Sequence, residues 1–368
     1  MFARDLSGVR QVGTGKLSGR VTGENLVRSI AGNPGFVAVA SARYSLVGRT
    51  SEEDQMGYQW WRGVALAGAA LLLSACGQSA VNDGGGDSRN PDELVFAAIP
   101  SENASSVQAS FQNVIDLLQK ETGKTVRFQQ ATNYAAVIEA QRSGKVDIAQ
   151  YGPLSYVVAR NTGVEATAIA AQVQEKGLPP GYRSYGVVET GSPIRDLAGF
   201  KGKKICFVDP NSTSGTLYPR AGLVDAGVNP DTDITAVMAG GHDASALGVA
   251  TGQCDAGFAY DTMVDKQLIE KGQLKPGDLT TVWKSEIIAG SPVAVSDDLD
   301  PALKEKVATV FQQQANVDYL ETSGVCKPGE KCEVDDAGDW GYAKVDDAFF
   351  DTVRHVCDVT KAEQCTTA

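Results

Sequence analysis

The sequence predicts an α/β protein of two lobes, with a ligand cleft between them and two hinge crossings joining them. Three observations lead there. From residue 93 onward, short apolar runs alternate with amphipathic stretches of helical spacing, the pattern of a parallel sheet covered by helices. That series is interrupted by a second one over 185–291, after which the chain returns to the first. A length of 368 residues also suits two domains better than one.

Residues 94–100 (Leu-Val-Phe-Ala-Ala-Ile-Pro) read as a buried strand. Residues 107–122 have helical spacing through Phe111, Val114, Ile115, Leu117 and Leu118, and Gly123 closes them. A strand over 125–129, a helix over 134–143, a strand over 146–151 and a helix over 154–161 follow. The second series has strands at 185–189, 204–209, 234–238 and 256–260. Between them come a helical turn at 196–200 and helices at 215–226 and 243–251. The chain returns through 291–295 and an amphipathic helix over 301–320. The first lobe is thus expected from 93–184 plus 292–368, and the second from 185–291. Crossings near 182–185 and 288–292 would let the lobes close by hinge motion.

The segment before residue 93 has a different character. Met56 to Arg62 is short and basic, residues 64–73 are apolar, and Leu73-Ser74-Ala75-Cys76-Gly77 ends in small residues. This is the layout of a secretory signal. About ten apolar residues are too few to span a bilayer, which needs roughly 20. The Leu-Ser-Ala-Cys ending resembles a bacterial lipobox. That resemblance implies a lipidated Cys76 as the mature N-terminus, residues 56–76 as signal, and 77–92 as a polar tether. It places the mature chain outside the cytoplasmic membrane, held to its outer face by the lipid. Residues 1–55 show no sustained period and read as a mis-assigned gene start or a disordered extension.

Residues 1–76 carry 8 Lys/Arg against 5 Asp/Glu, so a total of −12 leaves about −15 for the remainder. Such acidity argues against nucleic acid, whose phosphates need clustered cations. Six cysteines follow Cys76, and an even number in an exported chain reads as disulfides. Cys206 and Cys254 belong to strands of one lobe and are paired here. Cys326–Cys332 and Cys357–Cys365 are the local choices among the rest. Zinc is a poor alternative, with no C-x2-C pair and only His242 and His355 as imidazoles, and no cofactor is called for.

Three strand-to-helix loops carry chemistry. In Asp209-Pro210-Asn211-Ser212-Thr213-Ser214-Gly215-Thr216, three consecutive hydroxyls stand beside the unpaired N–H groups of a helix start. A plain N-cap needs only one. Gly240-Gly241-His242 offers an imidazole donor, although a satisfied surface histidine fits equally well. Phe258-Ala259-Tyr260-Asp261-Thr262 ends a strand where α/β proteins place ligands, and Asp261 would also serve as a helix cap. Tyr134, Tyr151 and Tyr182 stand at a helix start, a strand end and a crossing, each able to give an aromatic wall and an O–H donor.

In this order, over about 94–308, these segments resemble the phosphate, phosphite and phosphonate substrate-binding proteins of ABC importers, which have a type II periplasmic-binding-protein-like fold. The Asp-Pro-Asn-Ser-Thr-Ser-Gly run is the most specific element. The resemblance implies that Ser212, Thr213, Ser214, His242 and Tyr134 hold a phosphorus oxyanion, and Tyr182 matches the tyrosine after Pro-Gly. It implies a permease with its ATPase as partners, a lipid anchor in the membrane, and no catalysis. Asp261 is then expected to accept the P–OH proton that sulfate lacks. Nothing in the resemblance covers the Cys-containing tail beyond Ser323. Two other functions compete: a ligand-sensing lipoprotein that docks on a receptor, and a hydrolase with Ser212 or Ser214 as nucleophile and His242 as base. The hydrolase lacks a Gly-x-Ser-x-Gly elbow, since Pro210 and Ser212 flank the relevant place.

Overall fold

The computed structural model describes residues 88–327 and 331–366. The signal segment, Cys76 and most of the tether lie outside the described residues. Among the described residues, thirteen strands run in chain order: β1 (Glu93–Ala98), β2 (Thr125–Gln129), β3 (Ile148–Gln150), β4 (Ala166–Val173), β5 (Gly181–Tyr182), β6 (Ser184–Glu189), β7 (Lys204–Phe207), β8 (Thr235–Met238), β9 (Ala256–Tyr260), β10 (Leu279–Lys284), β11 (Ile288–Ala289), β12 (Pro292–Ser296) and β13 (Gly341–Lys344).

They form two main sheets. The first has the order β13-β4-β12-β3-β1-β2, and the second β10-β6-β9-β7-β8. β1 is parallel to both of its neighbours, as short βα units require. Its side chains alternate between two cores: Leu94, Phe96 and Ala98 enter one, and Val95 and Ala97 the other. The second sheet repeats this, with Tyr185 and Val187 on one face and Ile205, Phe207 and Phe258 on the other. A ribbon of β5 and β11, pairing Ile288 with Tyr182 and Ala289 with Gly181, carries the chain between the sheets. The ribbon is packed backbone to backbone. A Cβ on Gly290 would stand 2.4 Å from the carbonyl oxygen of Gln172.

Cys206 bonds Cys254 beneath the second sheet, Cys326 bonds Cys332, and Cys357 bonds Cys365. Several elements depart from the sequence expectation. The 107–122 helix is two helices, Ala104–Ser110 and Gln112–Thr122. The break falls at Phe111, whose buried ring packs edge-on to Phe96 at 5.1 Å. The 301–320 helix winds into a wide turn at Val310–Gln314, stops, and restarts at Val317–Thr322. It stops because β13 docks there: a Cβ on Gly341 would lie 2.6 Å from that of Asn316. β4, β10 and β13 were not expected as strands. The tail beyond Ser323 supplies β13 and the helix Asp351–Thr360, whose Val353 and Cys357 pack into the first lobe's core beside Tyr156.

Candidate functional site

The hydroxyl loop sits where β7 ends. Gly215 is obligatory there, because a Cβ would meet Val208 Cγ2 at 2.3 Å. The chain enters a wide turn, Thr213–Leu217, before the helix Tyr218–Asp225 begins. Pro219 has no N–H to donate and suits that helix's first turn. Ser212 Oγ accepts the Gly215 N–H at 3.0 Å, and Asp209 Oδ1 accepts that of Asn211 at 2.8 Å. Ser212, Thr213 and Ser214 are all almost wholly buried.

The first sheet's loops meet this turn. Thr213 Oγ1 accepts the Leu154 N–H at 2.8 Å, which leaves its own O–H to donate. His242 donates its backbone N–H to the Ser101 carbonyl at 2.7 Å. Gln267 donates to the Ala337 carbonyl at 2.7 Å, and Lys271 pairs with Glu102. Between these contacts lies a cavity of about 50 Å³, lined by Ser101, Tyr134, Tyr182, Ser212, Thr213, Ser214, His242, Tyr260, Asp336 and Asp339 among others. Among the described residues no Lys or Arg lines it. Anion affinity there must come from oriented hydroxyls, an imidazole and backbone dipoles.

His242 is fixed as a donor. Its Nδ1 accepts the Tyr260 N–H at 3.2 Å, so the proton resides on Nε2, 3.4 Å from Ser212 Oγ. Burial pushes its pKa down to about 3, so the ring is neutral. An Nε2 that already bears a proton cannot take one from Ser212, and Nδ1 has no carboxylate to orient it. Tyr134 and Tyr182 keep their phenolic protons, since burial pushes both pKa values up. Tyr134 faces Ser212, and Tyr182 faces Thr213 and Ser214.

A family model described as ABC transporter, phosphonate, periplasmic substrate-binding protein matches residues 96–347. The chain belongs to this family. The phosphate-import protein PhnD of Mycolicibacterium smegmatis is 49% identical over 309 residues, covering 82% of this chain and 96% of that protein. The phosphonates-binding periplasmic protein of Escherichia coli is 32% identical over 225 residues, 59% of this chain and 65% of that one. Among solved structures, a binding component of an ABC phosphonate transporter from Pseudomonas aeruginosa aligns with TM-score 0.64 at 24% identity, covering 73% of this chain and 86% of that chain. PhnD1 of Prochlorococcus marinus, solved with methylphosphonate, aligns with TM-score 0.62 at 20% identity, covering 74% and 100%. These likenesses show the type II periplasmic-binding-protein fold.

The protein is therefore a transporter's substrate-binding component and not an enzyme. No helix among the described residues is long and apolar enough to cross a membrane. Of the site residues expected for this phosphonate-family binding protein, Tyr134, Tyr182, Ser212, Thr213, Ser214 and His242 meet at one cavity. Tyr151 contributes to the wall, but its hydroxyl donates to Gln141 at 2.9 Å and is unavailable to a ligand. Asp261 is a correction. It is not among the cavity residues, and its carboxylate accepts from Gln174 at 2.8 Å, Thr262 N–H at 3.0 Å and Arg183 N–H at 3.0 Å. With two of these bonds on Oδ1 and one on Oδ2, its carboxylate is oriented to brace the crossing rather than to face the cavity.

The carboxylates at the cavity come instead from the tail. Asp336 accepts from the Ser101 hydroxyl, and burial beside Asp335 pushes its pKa up to about 6. Burial and the same neighbours raise Asp339 well above the carboxylate range. Asp335 accepts the Asp339 N–H at 3.1 Å and so shapes the loop. The signal was present as Asp335-Asp336-Ala337-Gly338-Asp339, but three acids around a glycine look like a solvated turn.

Proposed function

We propose that this protein, lipid-anchored at Cys76 on the outer face of the cytoplasmic membrane, captures phosphate, phosphite or a short phosphonate and delivers it to an ABC permease with its ATPase. The observation that carries the reading is the cavity, which is lined by hydroxyl donors and a neutral N–H imidazole, holds no cationic side chain, and measures about 50 Å³. A water-sized probe occupies roughly 10–15 Å³, so the space suits an ion of a few heavy atoms. The name of the Mycolicibacterium relative and the methylphosphonate in the Prochlorococcus structure support the same ligand class. The lobes are taken as 93–184 plus 292–368 and 185–291, closing about the β5–β11 ribbon.

Calorimetry of the mature protein against phosphate, phosphite, methylphosphonate and sulfate tests the ligand. At least one phosphorus oxyanion should bind in the micromolar range or tighter, with a fall in radius of gyration by small-angle scattering. No heat with any of them would overturn the reading. Mass spectrometry of native membranes should find lipid-modified Cys76 as the first residue, and a mature peptide from residues 1–55 would overturn the anchor.

A further inference from the structure

The hydroxyl loop explains why an oxyanion binds, but it does not account for the acids beside it. Asp339 lines the cavity, is only 6% exposed, and its Oδ1 has no hydrogen-bond partner. A buried acceptor left unmade is costly, so its place at a ligand cavity points to a donor that arrives with the ligand. Asp336 lines the same cavity and is oriented by the Ser101 hydroxyl. We propose that Asp336 and Asp339 are the specificity-determining residues of this site: they accept hydrogen bonds from O–H groups of the bound oxyanion, so that the cavity takes phosphorus oxyanions bearing a proton and rejects sulfate.

This inference rests on the reading of the cavity as a phosphorus-oxyanion site and adds what sorts one tetrahedral anion from another. Sulfate and hydrogen phosphate share shape and size, so a rigid cavity separates them poorly. They differ in protons, since sulfate carries none near neutral pH, whereas phosphate, phosphite and methylphosphonate each retain or readily take up an O–H. Ser212, Thr213, Ser214, Tyr134, Tyr182 and Nε2–H of His242 satisfy the bare oxygens. The P–OH then has Asp336 and Asp339 to donate to. An unprotonated sulfate oxygen at that place would face carboxylate oxygen, and the cations that act on these acids, Lys271 and Lys266, stand outside the cavity lining. Burial first, and neighbouring carboxylates second, raise the pKa of both acids. An ammonium group could satisfy the same acids, but about 50 Å³ leaves little room for an aminoalkyl arm beside the anion.

The test compares Asp336→Asn, Asp339→Asn and the double variant with the parent, by calorimetry against phosphate, methylphosphonate, sulfate and 2-aminoethylphosphonate. Thermal melts confirm folding, which the amides should preserve because they remove buried charge. The expected result is a roughly tenfold to hundredfold loss of phosphate affinity in each single variant, with sulfate binding appearing in the double variant. Two results overturn the proposal. One is wild-type phosphate affinity and unchanged sulfate rejection in all three variants. The other is a parent that prefers 2-aminoethylphosphonate to phosphate and loses that preference on Asp339→Asn. Thr213→Ala separates this failure from failure of the site itself. If it abolishes phosphate binding while the Asp variants change nothing, the oxyanion site stands and the carboxylate role falls. If the parent binds no phosphorus oxyanion, the site reading fails first.

Discussion

Two walls of one cavity were built in different ways. The hydroxyl wall, Ser212–Ser214 with His242, belongs to strand-to-helix loops of the second sheet, and its orientation is set inside that sheet's own βα units, by Ser212 Oγ on Gly215 three residues away and by Tyr260 N–H on His242. The carboxylate wall, Asp335–Asp339, has no regular element of its own. It is placed by contacts far away in sequence: Ser101 on Asp336, Gln267 on the Ala337 carbonyl, and Trp340 N–H on the Val173 carbonyl at 3.0 Å. A wall built locally announces itself in the sequence, while a wall built by tertiary contact does not.

The largest test of that contrast is Gly215→Ala. Its Cβ would overlap Val208 Cγ2 at 2.3 Å, so the hydroxyl loop must move as a unit. Calorimetry should show phosphate binding lost, at a cost of about 1–3 kcal/mol in stability by denaturant titration. Retained affinity would mean that the loop does not hold the ligand.

Next comes pH, where the two walls have opposite signs in the unliganded protein. His242 is held near 3 when folded against 6.5 unfolded, so the unfolded chain takes the proton first. Its contribution is fully present above pH 6.5 and drains away as pH falls toward 3, on the order of 5 kcal/mol in all at about 1.4 kcal/mol per unit. Asp336 is near 6 when folded against 3.8, so the folded chain takes that proton first. Its burial penalty is fully present above pH 6 and is relieved as pH falls toward 3.8. Melting curves from pH 4 to 8 should show His242→Asn flattening the acid loss and Asp336→Asn flattening the opposing trend. Equal slopes in both variants would contradict these environments.

The smallest expected effect sharpens the assignment of acids. Asp261→Asn should leave the preference for phosphate over sulfate unaltered, because its oxygens serve Gln174, Thr262 and Arg183. It should cost about 1 kcal/mol by exchanging an acceptor for a donor against the Arg183 N–H. Sulfate binding in this variant would restore Asp261 to the site and weaken the case for Asp336 and Asp339.

The contrast also marks what could be read beforehand. The βα alternation and the hydroxyl loop were legible because periodicity and capping chemistry act over a few residues. Tyr151 was placed at the correct strand end, yet only Gln141 on a neighbouring helix decides that its hydroxyl turns away. A carboxylate beside the hydroxyls was expected at Asp261, whereas the acids that line the cavity, Asp336 and Asp339, are placed by how the tail folds back. Breaks at Phe111 and at Ala315–Asn316 escaped for the same reason, since each answers to a ring or a strand docking from elsewhere.

The carboxylate loop lies between two anchors, the Cys326–Cys332 bond on one side and β13 on the edge of the first sheet on the other. On the assignment proposed for Asp336 and Asp339, a change of sequence between these anchors is expected to alter what the cavity accepts. If those acids set it, ligand preference becomes a separable trait, written into the short stretch 333–340 and open to exchange without touching the sheets.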